Sequence, residues 1–315
     1  LTSKQAGDIL EVIKNGIKPL IKNIGDAKMP KMDIERQKEL CRLVSEKLGL
    51  NYKRARLDVS AHPFSTGNTW DARITTRFSE NPFTSLMSTI HETGHALYNQ
   101  GLKEEDYGTP LGDSTSTTIH ESQSRIWENN VGRSREFLEW LMPHLNKLGC
   151  KITLNEAYDW VNKVEPCFIR VDSDEVTYHM HIILRFEIEK ELFEGKLKVN
   201  EVPDAWNEKM EKYLGLTPEN DAKGCLQDIH WCESFGYFPT YSLGTMMAAQ
   251  LFTKAEKDLK GLKEDIRDGK FNALKEWLNK KIHQQGRIYE TNDLIKFATD
   301  EMPNPEYLIK YLQLK

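Results

Sequence analysis

The chain has 315 residues, of which 39% are hydrophobic and 29% charged. This composition is typical of a globular protein with a sizeable core and excludes a disordered chain. There are 43 Lys and Arg against 48 Asp and Glu, a formal net charge of −5. An acidic balance argues against a nucleic-acid partner and against an anionic membrane surface. No run reaches the ~20 apolar residues of a spanning helix. The five cysteines include no CxxC pair, which favours a reduced, cytoplasmic protein over a disulfide framework.

The first predicted helices are amphipathic. An apolar stripe at three- and four-residue spacing opens the chain, formed by Ile9, Ile13, Ile17, Leu20 and Ile24. This spacing is that of one helix face. A second helix is predicted to end at Gly49, because glycine commonly caps a helix C-terminus.

The next region differs from the helices that surround it. Pro63 and Gly67 interrupt it, and the segment Asp71–Phe78 alternates polar and apolar residues. Alternation with period two predicts strands, so we expect a small β-hairpin or short sheet near residues 56–80.

Helical patterns dominate the rest of the chain. Helices are predicted over Pro82–Gly101, from about Thr117 to Gly132, over Val176–Gly195, and along the charged stretch Lys254–Gly269. No repeat or linker divides the sequence. We therefore predict a mostly α-helical protein that forms one domain over residues 1–315.

A His-Glu-x-x-His motif lies in the third predicted helix, from His91 to His95. Residues i and i+4 of an α-helix differ by about 6 Å of rise and about 40° of rotation, so two imidazoles can reach one metal ion. Glu92 lies beside that face, where its carboxylate can take a proton from an attacking water. This division of roles suits metal-assisted hydrolysis.

A third ligand is expected, because catalytic zinc sites have three protein ligands and an open position. The helix after the motif offers His120, Glu121 and Glu128. Adjacent helical residues point about 100° apart, so only one of His120 and Glu121 is expected to face the metal. Spacing alone leaves the three candidates open.

The other histidines give weaker signals. His179 and His181 lie about 200° apart on a predicted helix, which argues against a shared metal and favours structural roles. His144 and His283 have no evident partner in the sequence. We expect both of them at the surface.

Six motifs of the sequence together resemble those of a known family. The motif at His91–His95, followed by HESQ at 120–123, resembles the M32 metallocarboxypeptidases of the carboxypeptidase Taq type. Four further signatures match, namely His62–Phe64 (HPF), Asp71–Thr75 (DARIT), Ile169–Asp174 (IRVDSD) and Gly224–Trp231 (GCLQDIHW). One departure is Ser173, which stands where the family has alanine.

The resemblance implies a gluzincin-like helical metallopeptidase that releases single amino acids from peptides with a free C-terminus. It also implies that Glu121 is the third metal ligand beside His91 and His95. The bound ion is expected to be Zn²⁺, with Co²⁺ or Mn²⁺ as alternatives, and the protein is expected to be a homodimer. Family members normally carry a further helical region before the part that begins here, so the chain resembles the C-terminal portion of such an enzyme.

Two arginines inside the family signatures are candidates for reading the substrate C-terminus. Arg73 and Arg170 each offer a guanidinium fork, which can engage both oxygens of a carboxylate. The alternative for either residue is a structural ion pair, for instance with Asp71 or Asp174.

Further residues are candidates for contacting the substrate. A tetrahedral intermediate needs a donor for its developing oxyanion, and His230 and Tyr237 are the catalytic candidates for that role. Tyr241, His62 and Gln227 are candidates for substrate binding. Packing is the alternative for the tyrosines, and a loop hydrogen bond is the alternative for His62.

Two other functions remain open on the sequence. A helical oligoendopeptidase would share His-Glu-x-x-His and a later glutamate while cutting internal bonds. A catalytically impaired fragment would serve only as a metal-binding helical module.

Overall fold

The computed structural model describes residues 1–21 and 29–315. Within these residues the fold is mostly helical with a small sheet, as predicted, and the sheet has three short strands. The α-helices are α1 Ser3–Ile17, α2 Ile34–Leu48, α3 Pro82–Gly101, α4 Thr117–Arg125, α5 Arg135–Lys147, α6 Leu154–Val161, α7 Thr177–Phe193, α8 Val202–Leu214, α9 His230–Glu233, α10 Pro239–Asp258, α11 Leu262–Arg267, α12 Asn272–Lys281, α13 Thr291–Thr299 and α14 Glu306–Gln313. None of these helices is long and apolar enough to cross a membrane.

The chain divides into two compact units, each assembled from separated segments. The first unit comprises Leu1–Asp26, Asn162–Leu243 and Pro305–Lys315. The second unit comprises Ala27–Val161 and Gly244–Asn304. The sequence itself predicts one domain over residues 1–315.

Local signals account for the ends of the early helices. Thr2 and Gln5 form a capping box at the start of α1, whose buried face includes Ile13 and Ile17. Ile24, the last member of the predicted stripe, lies outside the described residues. Gly49 ends α2 in the left-handed conformation, with φ of 104°, which confirms the predicted glycine cap.

A three-stranded sheet lies in the second unit. Its strands are β1 Ala55–Val59, β2 Ser65–Gly67 and β3 Ala72–Thr76, in the order β1-β3-β2. β1 runs parallel to β3, and β2 pairs with β3 antiparallel. The predicted short sheet is therefore confirmed. β3 buries Ala72 and Ile74 and exposes Arg73 between them.

Helices α3 and α4 are the central pair of the second unit. The predicted bounds of α3, Pro82–Gly101, are those observed. The fourth predicted helix is α-helical only to Arg125 and continues as a π-helix over Ile126–Gly132. α3 and α4 approach closely because Gly94 has no side chain, and a Cβ there would lie 2.6 Å from the Cα of Ser124.

Helix α7 is the centre of the first unit. Its buried residues lie on all sides of the helix and include His179, His181 and Arg185. His179 Nδ1 lies 2.9 Å from the hydroxyl of Ser242. Both histidines are thus held inside the unit.

Two expectations from the sequence are wrong. His283 is buried, and its ring nitrogens face the amide oxygens of Asn279 and Gln123, so it is not a surface residue. The charged stretch Lys254–Gly269 is not one helix, because α10 ends at Asp258 and α11 begins at Leu262. Gly261, with φ of 84°, lies at this break.

Candidate metal centre and its surroundings

Three predicted ligands meet in the second unit. One nitrogen of His91, one of His95 and one oxygen of Glu121 all lie within 4.8 Å of one another. The Oε2 atom of Glu121 is 3.6 Å from Nε2 of each histidine. Ligand atoms around a tetrahedral Zn²⁺, with bonds of about 2.0–2.2 Å, lie about 3.4 Å apart. The donors and their spacing therefore fit a divalent cation.

The first histidine is backed by a carboxylate. His91 Nδ1 lies 2.8 Å from Oε2 of Glu128, a residue of the π-helix. Arg125 and Arg133 also bond this carboxylate, at 3.0 and 2.9 Å. Burial favours protonation of Glu128, yet Arg125 and the other cationic partners hold its pKa well below the ordinary value. Burial alone would lower the pKa of His91. The carboxylates of Glu121 and Glu128 together outweigh this effect, so the pKa is raised above its ordinary value.

The second histidine is backed by another imidazole. His95 Nδ1 lies 2.7 Å from Nδ1 of His120, and His120 Nε2 lies 3.1 Å from the amide oxygen of Asn99. Burial is the main cause that lowers the pKa of His95 well below its ordinary value and that of His120 to about 4. Both rings are therefore neutral near pH 7.

The carboxylate of Glu121 is held in place on α4. Its Oε1 accepts a hydrogen bond from Nε of Arg125 at 2.7 Å, and its Oε2 accepts one from the Ser124 hydroxyl at 3.2 Å. Gly244 of α10 lies against it, where a Cβ would come within 2.7 Å of the Glu121 Cβ. Of the three candidates left open by spacing, Glu121 lies in the ligand cluster, whereas His120 and Glu128 lie behind the histidines.

Glu92 lies beside this cluster and is 6% exposed. Burial raises the pKa of Glu92 to about 7; the nearby His91 opposes this shift, while the carboxylates of Glu121 and Glu128 add to it. A carboxylate with this pKa can exchange a proton near neutral pH.

The first unit holds a second polar cluster, centred on Arg170. Nε of Arg170 donates to Oδ1 of Asp228 at 2.9 Å, and Nη1 donates to the Tyr178 hydroxyl at 3.0 Å. Arg185 donates to the other oxygen of Asp228 at 2.7 Å. Burial would raise the pKa of Asp228, but the two guanidinium groups lower it. Two cations thus share one anion. Asp174, the partner suggested by the sequence, instead accepts bonds from backbone N–H groups.

The remaining candidates of the first unit lie around Arg170. Gln227 accepts a hydrogen bond from the Arg170 backbone N–H at 2.9 Å, so its amide orders this segment. His230 Nε2 lies 3.0 Å from the hydroxyl of Tyr241. The Tyr237 ring is 5.6 Å from that of His230 and 5.3 Å from that of Tyr241. These contacts bring together Arg170, Asp228, His230, Tyr237 and Tyr241.

Arg73 and His62 lie in the second unit, on and beside the small sheet. Nε of Arg73 lies 3.2 and 3.0 Å from the two carboxylate oxygens of Asp71, which is the ion pair considered as the alternative. Its side chain is 57% exposed. His62 is exposed in the connection between β1 and β2.

Sequence reasoning missed Arg185, which is fully buried and shares Asp228 with Arg170. A signal was present, because Arg185 interrupts the short apolar run from Ile182 to Phe186. A charged side chain inside a buried helix requires a partner of opposite charge.

The fold and the site together define a helical metallopeptidase of the His-Glu-x-x-His class. The chain belongs to the carboxypeptidase Taq (M32) metallopeptidase family, whose model matches residues 1–315. The resemblance seen in the sequence is therefore confirmed.

Curated relatives match the whole chain. It is 41% identical to carboxypeptidase 1 of Bacillus subtilis and 39% identical to thermostable carboxypeptidase 1 of Pyrococcus furiosus, with 100% of this chain and 66% of each relative covered. The solved structure of Trypanosoma cruzi metallocarboxypeptidase 1 superposes with a TM-score of 0.95 at 37% identity, covering 100% of this chain and 69% of that one. The chain thus spans about two thirds of the length of these relatives.

Proposed function

We propose that this chain is the catalytic part of a metal-dependent carboxypeptidase that releases single amino acids from peptide C-termini. The observation that carries the proposal is the convergence of His91, His95 and Glu121 on one point, with Glu92 beside them. Relatives that match the whole chain bear the name carboxypeptidase.

In this proposal His91, His95 and Glu121 hold the cation. When bound, the cation polarises the scissile carbonyl and makes the attacking water more acidic. Glu92 accepts the proton of that water on its carboxylate and then returns it to the departing amine nitrogen. The burial of Glu92 keeps bulk water from competing for this proton.

Arg170 is the proposed partner of the substrate's terminal carboxylate. Because Arg170 and Arg185 share the single charge of Asp228, their group retains a net positive charge. Buried positive charge attracts an anion. Arg73 is the second proposed contact, although its guanidinium is engaged by Asp71.

The remaining roles follow from the hydrogen-bonding groups near Arg170. His230 and Tyr237 are the proposed donors to the oxyanion that develops during attack. Tyr241, Gln227 and His62 are proposed to contact the substrate.

Zn²⁺ is the proposed native ion, since two imidazoles and one carboxylate form a common donor set of catalytic zinc, while Co²⁺ and Mn²⁺ are alternatives. The proposed location is the cytoplasm, because the five cysteines are free thiols and such proteins reside in reducing compartments. A homodimer is proposed on the family resemblance alone.

The test of the mechanism is Glu92→Gln, which keeps the size of the side chain but removes its basicity. The variant is expected to bind metal like the wild type while losing at least ~100-fold in turnover, the usual contribution of a general base. Metal content is measured by elemental analysis, and turnover by release of the C-terminal amino acid. Normal peptide hydrolysis by the variant would show that Glu92 is not the base.

A matched pair of peptides tests the substrate class. A peptide with a free C-terminus should be shortened one residue at a time, whereas its C-terminally amidated twin should remain intact. Internal cleavage of both would establish an oligoendopeptidase instead.

The ligand cluster would also serve a second candidate, a metal-binding helical module without turnover. Metal binding without hydrolysis of either peptide, measured beside a full-length relative that hydrolyses the free one, would support this candidate.

A further inference from the structure

The two histidines of the candidate metal centre present the same ring atom to Glu121. Nε2 of His91 and Nε2 of His95 each lie 3.6 Å from its Oε2. Their Nδ1 atoms therefore face other partners, and those partners differ. Behind His91 is the carboxylate of Glu128 at 2.8 Å. Behind His95 is Nδ1 of His120 at 2.7 Å.

The contact between two ring nitrogens restricts where the protons lie. A hydrogen bond between two imidazole nitrogens needs a proton on one and a lone pair on the other. A histidine that binds a cation through Nε2 must keep the lone pair on that atom, so its proton is on Nδ1. His95 is then the donor in this contact, and Nδ1 of His120 is the acceptor.

The next hydrogen bond agrees with this assignment. Once Nδ1 of His120 is an acceptor, the neutral ring must carry its proton on Nε2. That nitrogen lies 3.1 Å from the amide oxygen of Asn99, which is an acceptor. Asn99 lies one helical turn after His95 on α3, so the two bonds run from α3 to α4 and back. Each donor in this relay meets an acceptor.

We propose that His120 is a positioning residue that, together with Asn99, fixes the proton of His95 on Nδ1 and so directs its Nε2 lone pair toward the cation. The inference rests on the proposed function, because it requires that His95 binds a metal ion. It also assigns different supports to the two ligands, an anion behind His91 and a neutral ring behind His95. Outer partners of this kind commonly change metal affinity by about 10–100-fold when they are removed.

Packing is the competing role for His120, because its ring also contacts the rings of His95 and Tyr98, with centroid distances of 4.7 and 5.0 Å. Two substitutions separate packing from hydrogen bonding. His120→Phe keeps a ring but removes the acceptor, whereas His120→Gln supplies an amide oxygen that can accept from His95 and an amide N–H₂ that can donate to Asn99.

The experiment measures Zn²⁺ affinity by chelator competition for the wild type, both His120 variants and a control, His144→Phe. The control residue is a half-buried histidine whose ring contacts Trp140 on the same helix. We expect His120→Phe to weaken binding by about 10–100-fold, His120→Gln to regain most of this loss, and the control to bind like the wild type. The unfolding midpoint without metal shows whether both His120 variants fold.

Three results would overturn the inference. One is a Zn²⁺ affinity of His120→Phe within twofold of the wild type. Another is an equal loss in the Phe and Gln variants, which indicates packing. The third comes from ¹⁵N spectra of the wild-type imidazoles. These spectra are expected to show the Nδ1–H form of His95 and the Nε2–H form of His120. The opposite forms would refute the assignment even if a variant failed to fold. A wild type that binds no Zn²⁺ would instead refute the proposed metal centre itself.

Discussion

The close contact between α3 and α4 at Gly94 sets the distance between the candidate ligands, so Gly94→Ala should disturb both stability and metal binding. A Cβ at Gly94 would lie 2.6 Å from the Cα of Ser124 and 2.7 Å from the carbonyl oxygen of Gln123. Both atoms belong to the backbone of α4, so no side-chain rotation can relieve the clash. The two helices must move apart.

The size of the effect follows from ordinary contact distances. Carbon atoms pack at about 3.5–4.0 Å, so the helices must separate by about 1 Å. Overpacking of this kind costs ~1–3 kcal/mol, and the better helix propensity of alanine returns ~1 kcal/mol. The expected net loss is therefore about 0–2 kcal/mol in the free energy of unfolding.

Metal binding should weaken as well. His91 and His95 lie on α3 and Glu121 on α4, so the separation changes the spacing of the ligands directly. Metal–ligand bonds tolerate deviations of only about 0.2 Å. We therefore expect at least a ~10-fold loss of Zn²⁺ affinity, the lower end of the effect of removing an outer partner.

Urea unfolding without metal and chelator competition with Zn²⁺ measure the two effects. The matched control is Gly7→Ala in α1, where the new Cβ would meet only the Phe186 ring, at 3.4 Å. The control should be as stable as the wild type or slightly more stable, since alanine favours the helix. Wild-type affinity in Gly94→Ala, together with stability equal to that of the control, would refute the reasoning.

Two further predictions concern buried carboxylates of the first unit. Burial raises the pKa of Glu189 from 4.5 to about 7, and its Oε1 accepts a hydrogen bond from the Gly236 N–H. The folded state therefore keeps a proton that the unfolded chain loses, so stability falls between about pH 4.5 and pH 7. Glu189→Gln should raise the free energy of unfolding by about 2 kcal/mol at pH 8, after allowance for solvent screening, and leave it unchanged at pH 4. Urea titrations that show equal effects at both pH values would contradict this prediction. Asp228→Asn leaves Arg170 and Arg185 without their shared anion and should cost ~3–5 kcal/mol, whereas a thermal unfolding shift near zero would count against the shared-charge arrangement.

Signals that act over one or two turns predicted the end of α2 and both ends of α3. Pro82 can start a helix and Gly49 can end one because of their own backbone preferences, and both do so here. The π-helix at Ile126–Gly132 was not predicted. Its residues keep an ordinary helical pattern, and i→i+5 bonding leaves no mark in apolar spacing.

Spacing alone could not predict which residue after the motif is the third metal ligand. His120, Glu121 and Glu128 are all within reach of a helix that carries His91 and His95. The contacts that fix the rotation of α4 are tertiary, with Gly94 on one side and Gly244 on another. The burial of His283 has the same origin, because Gln123 of α4 supplies its partner from 160 residues away in sequence.

Each unit contains a buried carboxylate that lies between two arginines, and the arginines keep this carboxylate ionised. Glu128 lies between Arg125 and Arg133, and Asp228 lies between Arg170 and Arg185. Burial alone would protonate such groups. The arginines instead keep both pKa values below their ordinary values. An ionised Glu128 remains a hydrogen-bond acceptor for the Nδ1–H of His91, so the support of this ligand should persist across the neutral pH range. The shared Asp228 leaves one positive charge uncompensated, which suits Arg170 to receive a carboxylate from a peptide.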